Sequence, residues 1–145
     1  MTDQVQNPAD NLVDLFAEFA VDKDKAQKGA PLKIGGSTFM VAKANSAEFL
    51  AGRIKLFTEL NEKYTEEQRK SPEFNAAVED GLVRLYAKHV LVGWDKIKYN
   101  GKVYDGYDEE LAYQLLKHED FAELILVFSS NRRNYGVMTE EVAKN

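Results

Sequence analysis

The stretch SPEFNAAVEDGLVRLYAKHVLVGW, residues 71–94, decides the architecture. Ser71 supplies a side-chain acceptor for a helix N-terminus, and Pro72 sits at the first helical position, where its missing N–H has no intrahelical partner to lose. Phe74, Val78, Leu82, Leu85 and Tyr86 then recur every three or four residues. That spacing predicts an amphipathic helix running on through Val90 and Leu91 until Gly93, where glycine serves as the stop just before Trp94.

Working outward, Asn45 and Glu48 have the spacing of a capping box, and Phe49, Leu50, Ile54, Phe57, Leu60 and Tyr64 predict a helix of about five turns before it. The polar run Thr65 to Lys70 separates the two. Further upstream, Leu32–Ile34 and Thr38–Val41 flank Gly35-Gly36, the left-handed turn chemistry of a tight hairpin near residues 32–41. Leu12, Val13, Leu15, Phe16, Phe19 and Ala20 predict a short amphipathic helix from Asn11 to Val21, followed by the mixed-charge run Asp22-Lys23-Asp24-Lys25 and the breakers Gly29 and Pro31. Downstream, Ile97–Tyr99 and Lys102–Tyr104 flank Asn100-Gly101, a second hairpin signal. Asp108 caps a helix carrying Leu111, Ala112, Leu115 and Leu116. After His118–Asp120 a last helix carries Phe121, Leu124, Ile125 and Phe128, ending near Arg132, Arg133 and Gly136. The expected fold is mainly α with a minor α+β component: a compact bundle of about five helices with one or two short β-hairpins. It forms one domain over residues 11–136, between a flexible N-terminus (1–10) and a flexible C-terminal tail (137–145).

Composition narrows the function. At 145 residues one hydrophobic core is the economical reading, and it needs no bridges to hold it. Cysteine is absent, which removes disulfides, thiolate metal sites and cysteine nucleophiles together. Nineteen Lys and Arg against 24 Asp and Glu give a net charge of -5, so phosphate neutralisation is disfavoured and nucleic acid is not an expected partner. No apolar run approaches the ~20 residues of a membrane span. The polar, acidic stretch Met1 to Asp10 lacks the order of a secretory signal, so the chain is expected to stay in the cytoplasm where it is made.

No catalytic, metal or cofactor site assembles from spacing. His89 and His118 have no carboxylate or second histidine placed to form a zinc or catalytic set, and both read as structural. Gly35-Gly36 is not followed by Lys-Ser or a helix, so it is a turn and not a phosphate loop. Asp105, Asp108, Glu109 and Glu110 cluster without the alternation and central glycine of a calcium loop. Arg132 and Arg133 suit the negative end of a helix dipole. The aromatics are more informative: Trp94, Tyr99, Tyr104 and Tyr107 accumulate in an otherwise polar segment. Such residues either carry a binding surface or staple a loop to the core, and the two readings weigh evenly.

A further set of landmarks runs along the chain: Ala17-Glu18-Phe19-Ala20-Val21-Asp22-Lys23-Asp24-Lys25, Gly29, the hairpin Leu32 to Val41, and Ala42-Lys43-Ala44-Asn45 leading into Glu48-Phe49. They continue with Val90-Leu91-Val92-Gly93-Trp94, a turn with Asn100-Gly101-Lys102, the short Leu115-Leu116 helix and a final helix ending in Asn131-Arg132-Arg133-Asn134-Tyr135. In this order, over residues 13 to 136, the chain resembles the tail assembly chaperones of long-tailed, siphophage-type bacteriophages, the lambda G-like group. The Gly-Trp step, turn, short helix and Asn-rich helix end carry it most specifically. Members often open that short helix with Ser-Pro, where Asp108-Glu109 stands here. The resemblance implies a non-catalytic protein of the host cell cytoplasm that binds the tape measure protein, keeps it soluble until tail tube protein assembles around it, and is absent from the mature virion. From the residues themselves, the expected partner-binding set is Trp94, Tyr99, Tyr104, Tyr107 and Phe128, with Trp94, just past an apolar helix end and beside a tyrosine-rich turn, at the rim between core and client. An apolar client surface also implies self-association of the free chain. Many relatives are made in a second, longer form by ribosomal slippage, and Ala143-Lys144-Asn145 is compatible with the slippery run A AAA AAC. The competing class is a small phage-encoded regulatory or anti-defence module acting on a host protein. An enzyme would need a convergent polar set that these residues do not supply.

Overall fold

The computed structural model describes residue 12 and residues 14–137. The expected N-terminal segment 1–10 and, apart from Val137, the expected tail 137–145 with Ala143-Lys144-Asn145 lie outside the described residues, as do Asn11 and Val13 of the expected first helix. Five α-helices and two small antiparallel sheets make up the rest: α1 (Lys23–Lys28), β1 (Ala30–Ile34), β2 (Ser37–Val41), α2 (Ala47–Lys63), α3 (Pro72–His89), β3 (Leu91–Trp94), β4 (Ile97–Tyr99), β5 (Lys102–Tyr104), α4 (Glu109–Leu116) and α5 (Glu119–Ser130). This is the mainly helical fold with a minor β component that the periodicity predicts.

Both hairpins form where their turn residues place them. Gly35 and Gly36 have φ of 59° and 86°, and Asn100 and Gly101 have 51° and 81°, the paired left-handed conformations that let a two-residue turn follow the strand twist. β1 pairs with β2 from Ala30 opposite Val41 to Ile34 opposite Ser37, and β4 pairs with β5 from Ile97 opposite Tyr104 to Tyr99 opposite Lys102.

Several boundaries differ from expectation, each for an identifiable physical reason. The long helix does not run through Leu91. It ends at His89, and Leu91–Trp94 becomes a third strand antiparallel to β2, so the sheet order is β1-β2-β3. Periodicity cannot separate a short apolar run in a strand from one in a helix, and here β2 supplies the partner, with Phe39 opposite Trp94 and Val41 opposite Leu91. The start of α2 is capped by Ser46, whose Oγ accepts from the Phe49 N–H at 3.1 Å, while Asn45 adopts φ 62° before it. The expected helix over 11–21 is not formed in its described part, where Ala17–Phe19 make a single 3-10 turn. Val21 is held extended in a bridge to Gly136, and the Asp22 N–H donates to the Tyr135 carbonyl at 2.8 Å. The helix begins only after Asp22, whose carboxylate accepts from the Lys25 N–H.

The end of α5 also differs. It stops at Ser130, and Arg132–Tyr135 form a 3-10 turn that clasps the amino-terminal segment. The Arg132 guanidinium lies 4.7 Å from the centre of the Phe19 ring and donates to the Glu18 carbonyl, so this arginine is a clamp for a distant segment and not only a dipole partner. Tyr135 is fully buried and donates from its hydroxyl to the Val41 carbonyl at 2.8 Å.

The core is continuous across helices and sheet. Val41, Ala87, Leu91, Ala112 and Ile125 are entirely buried, and Phe39 meets Phe121 edge-on at 5.3 Å. α2 and α3 form a helical hairpin built on two glycines: Leu85 of α3 covers Gly52, and Leu56 of α2 covers Gly81. A Cβ at Gly81 would lie 2.8 Å from Leu56 Cδ2 and 3.1 Å from its Cγ. Gly81→Ala gains about 1 kcal/mol of helix propensity while displacing a leucine tip that can move, so near-neutral stability is expected. Gly81→Leu has no such escape, and a loss of about 1 to 3 kcal/mol in urea denaturation is expected from overpacking.

Candidate functional site

The aromatic cluster around Trp94 is a packed joint. Trp94 is only 7% exposed, so it belongs to the core and not to a rim. Its Nε1–H donates to the Gly106 carbonyl at 3.1 Å, its ring meets Phe39 edge-on at 6.4 Å, and Tyr107 leans against it at 4.9 Å. The physical reason is the strand: as part of β3, opposite Phe39, the indole projects into the same layer as the core. Tyr107 has its hydroxyl 2.5 Å from the Ala87 carbonyl and 2.9 Å from that of Leu91, stapling the loop to the junction of α3 and β3. Tyr99 is half-buried, with its hydroxyl 3.2 Å from His118 Nε2 at the start of α5. Half-buried Tyr104 carries Lys102 over its ring at 5.0 Å. These contacts are those of the stapling reading at Trp94 and Tyr107, while Tyr107 keeps 38% of its surface exposed.

Burial, followed by the nearby charges of Glu109 and Asp108, pushes the Tyr107 hydroxyl from its ordinary 10.0 up to about 12. Burial raises Tyr135 as well. Between pH 10 and 12 the folded chain therefore holds protons that the unfolded chain releases, so the stability these hydroxyls contribute is complete below pH 10 and lost as pH rises towards 12. The urea midpoint is expected to fall across that window, and Tyr107→Phe to flatten the fall.

The open surface lies elsewhere. α3 packs against α2 and α4, and α4 against α5, which leaves a groove of about 690 Å³ between α3 and α5. Its α3 wall is Val78, Leu82, Val83 and Tyr86, its α5 wall is Ala122, Leu126 and Val127, and the end of α4 adds Leu116. Those positions follow the three-or-four spacing of each helix, so the groove runs where the two apolar stripes converge. Val127 is 64% exposed and Leu124, one turn away on α5, 54%.

Charges edge the groove. Glu79 and Asp80 come from α3, Glu119 and Glu123 from α5, with Lys117 the one cation among the lining residues. Asp80 accepts from the Tyr113 hydroxyl, and the Arg84 guanidinium lies over the Tyr113 ring at 3.4 Å while pairing with Glu110 at 2.6 Å. This network ties α3 to α4, with Asp80 belonging both to it and to the groove.

The apolar tract continues beyond the groove. Through Leu82, Tyr86 and Leu126 it passes into a smaller depression with Phe49 and Arg53, and past Arg53 it reaches Leu50, Ile54 and Phe57 on α2. On the other side, Val127 and Glu123 also line a depression with Leu32, Leu124 and Phe128. Phe128 is thus the one expected partner-binding residue that borders this tract; Trp94, Tyr99, Tyr104 and Tyr107 do not line it. Sequence reasoning assigned Val78, Leu82 and Tyr86 to a buried stripe. The signal available was the breadth of α5, where Ala122, Leu126 and Val127 lie beside Leu124 and Phe128 and exceed what one buried face needs.

Among the described residues no three His, Asp or Glu side chains come together as metal ligands would, and no helix is long and apolar enough to cross a membrane. His89 sits half-buried, edge-on to the Phe49 ring at 6.4 Å, and burial lowers its proton affinity. The chain matches no known family model and no characterised protein, and no solved structure matches it.

Proposed function

We propose that the chain is a phage tail assembly chaperone, a non-catalytic protein whose groove between α3 and α5 holds helical segments of the tape measure protein and keeps that protein soluble during tail assembly in the host cytoplasm. One observation carries this reading: an open, apolar, carboxylate-edged groove between two helical walls. Such a groove suits an amphipathic helix laid along it, because the client's apolar stripe replaces water over side chains that stay half-exposed in the free chain. The extension of the tract towards α2 and towards Leu32 suits a client with many such helices. The order of segments, which resembles the lambda G-like group, supports the same reading. Tail tube protein, which would assemble around the tape measure protein, is the next component expected to meet the complex.

Co-expression tests it. The tape measure protein encoded beside this chain's gene should be insoluble when made alone and soluble when made with this chain, and the two should co-purify. A client equally insoluble with and without the chain would end the proposal.

A further inference from the structure

The charges around the groove say which helices it prefers. Four carboxylates, Glu79 and Asp80 on one wall and Glu119 and Glu123 on the other, line an apolar surface together with the single ammonium of Lys117. An apolar stripe alone would accept any amphipathic helix. The edges discriminate, because a helix lying in the groove brings the residues flanking its stripe next to those carboxylates. Glutamate or aspartate there is repelled on both sides, whereas lysine or arginine is attracted and can keep its aliphatic stem over the apolar wall.

We infer that the groove selects cationic amphipathic helices, those whose apolar stripe at i, i+3 or i+4, and i+7 is flanked by Lys or Arg. This rests on the chaperone reading for its biological client but not for its chemistry. The same charges disfavour the chain's own exposed apolar segment as occupant. Leu12, Leu15, Phe16 and Phe19 are all more than half exposed, yet they are interspersed with Asp14 and Glu18 and would bring carboxylates to carboxylates.

Three of the carboxylates can be neutralised without touching the Asp80–Tyr113 contact, since Glu79, Glu119 and Glu123 are exposed. The probes are two labelled 18-residue synthetic helices sharing one leucine stripe, flanked by Lys in one and by Glu in the other, titrated into the full chain by fluorescence anisotropy. The Lys peptide should bind at least about tenfold more tightly than the Glu peptide, with affinity falling as salt is raised. In E79Q/E119Q/E123Q that preference should shrink to about twofold. In Ala122→Phe, which fills the groove from its α5 wall, and in Val127→Asn, at an exposed position, binding of the Lys peptide should weaken. Equal binding of both peptides to the unaltered chain would overturn the charge preference and leave the groove as a docking site. Tighter binding of the Glu peptide would overturn it in favour of an acidic occupant such as the Leu12–Phe19 segment. Lys-peptide binding unchanged in both wall variants, or absent from the unaltered chain, would overturn the groove itself.

Discussion

Replacing Trp94 by alanine should remove about 3 to 5 kcal/mol of stability, a large part of the roughly 5 to 15 available to a domain of this size. The expected result is a fall in melting temperature of about 10 °C or more, or loss of soluble protein. The indole fills the layer between Phe39 and Tyr107 and is 7% exposed, so its removal leaves a cavity where β2, β3 and the loop before α4 meet. Trp94→Phe keeps most of that volume. It loses the hydrogen bond to the Gly106 carbonyl, which belongs to an exposed residue that water can reach, so a cost of about 1 kcal/mol is expected. A soluble, nearly fully stable Trp94→Ala protein would show that the residue is not the joint its contacts describe.

Much of the fold is legible because its signals are local. Gly35-Gly36 and Asn100-Gly101 specify their turns within two residues, Ser71-Pro72 starts α3, and Asp108 caps α4 by accepting from the Glu110 and Leu111 N–H groups. The misread segments are those decided by distant partners. Val90-Leu91-Val92-Gly93-Trp94 fits a helix end as well as a strand until β2, fifty residues away, pairs with it. Ala20-Val21-Asp22 fits the end of an amphipathic helix until Gly136 and Tyr135 draw it out. The groove is hidden for a related reason. Periodicity reports that Val78, Leu82 and Tyr86 share a face, and only the packing of α4 against both α3 and α5 leaves that face partly open as a groove wall.

Filling the groove should have the second large effect, on binding and not on folding. Ala122 is half-buried on the α5 wall, and a phenylalanine there occupies the space the client's stripe would take. Combined with Val127→Asn, it should reduce co-purified tape measure protein by about tenfold or more, since the centre of a docking surface carries most of its affinity. Circular dichroism should stay close to that of the unaltered chain, with at most a modest fall in melting temperature, because Val127 is 64% exposed and Ala122, though packed against the core, also lines the groove. Tyr99→Ser serves as the contrasting change. It breaks the contact with His118 and trims the aromatic loop, and it should leave the client bound.

The most direct measurement is hydrogen–deuterium exchange of the chain alone and bound to its tape measure protein, compared segment by segment. New protection is expected at residues 75–86 and 119–128, with weaker protection around residues 50–57 and little change at residues 94–107. Protection centred on residues 94–107 with the walls of the groove unchanged would contradict docking in the groove.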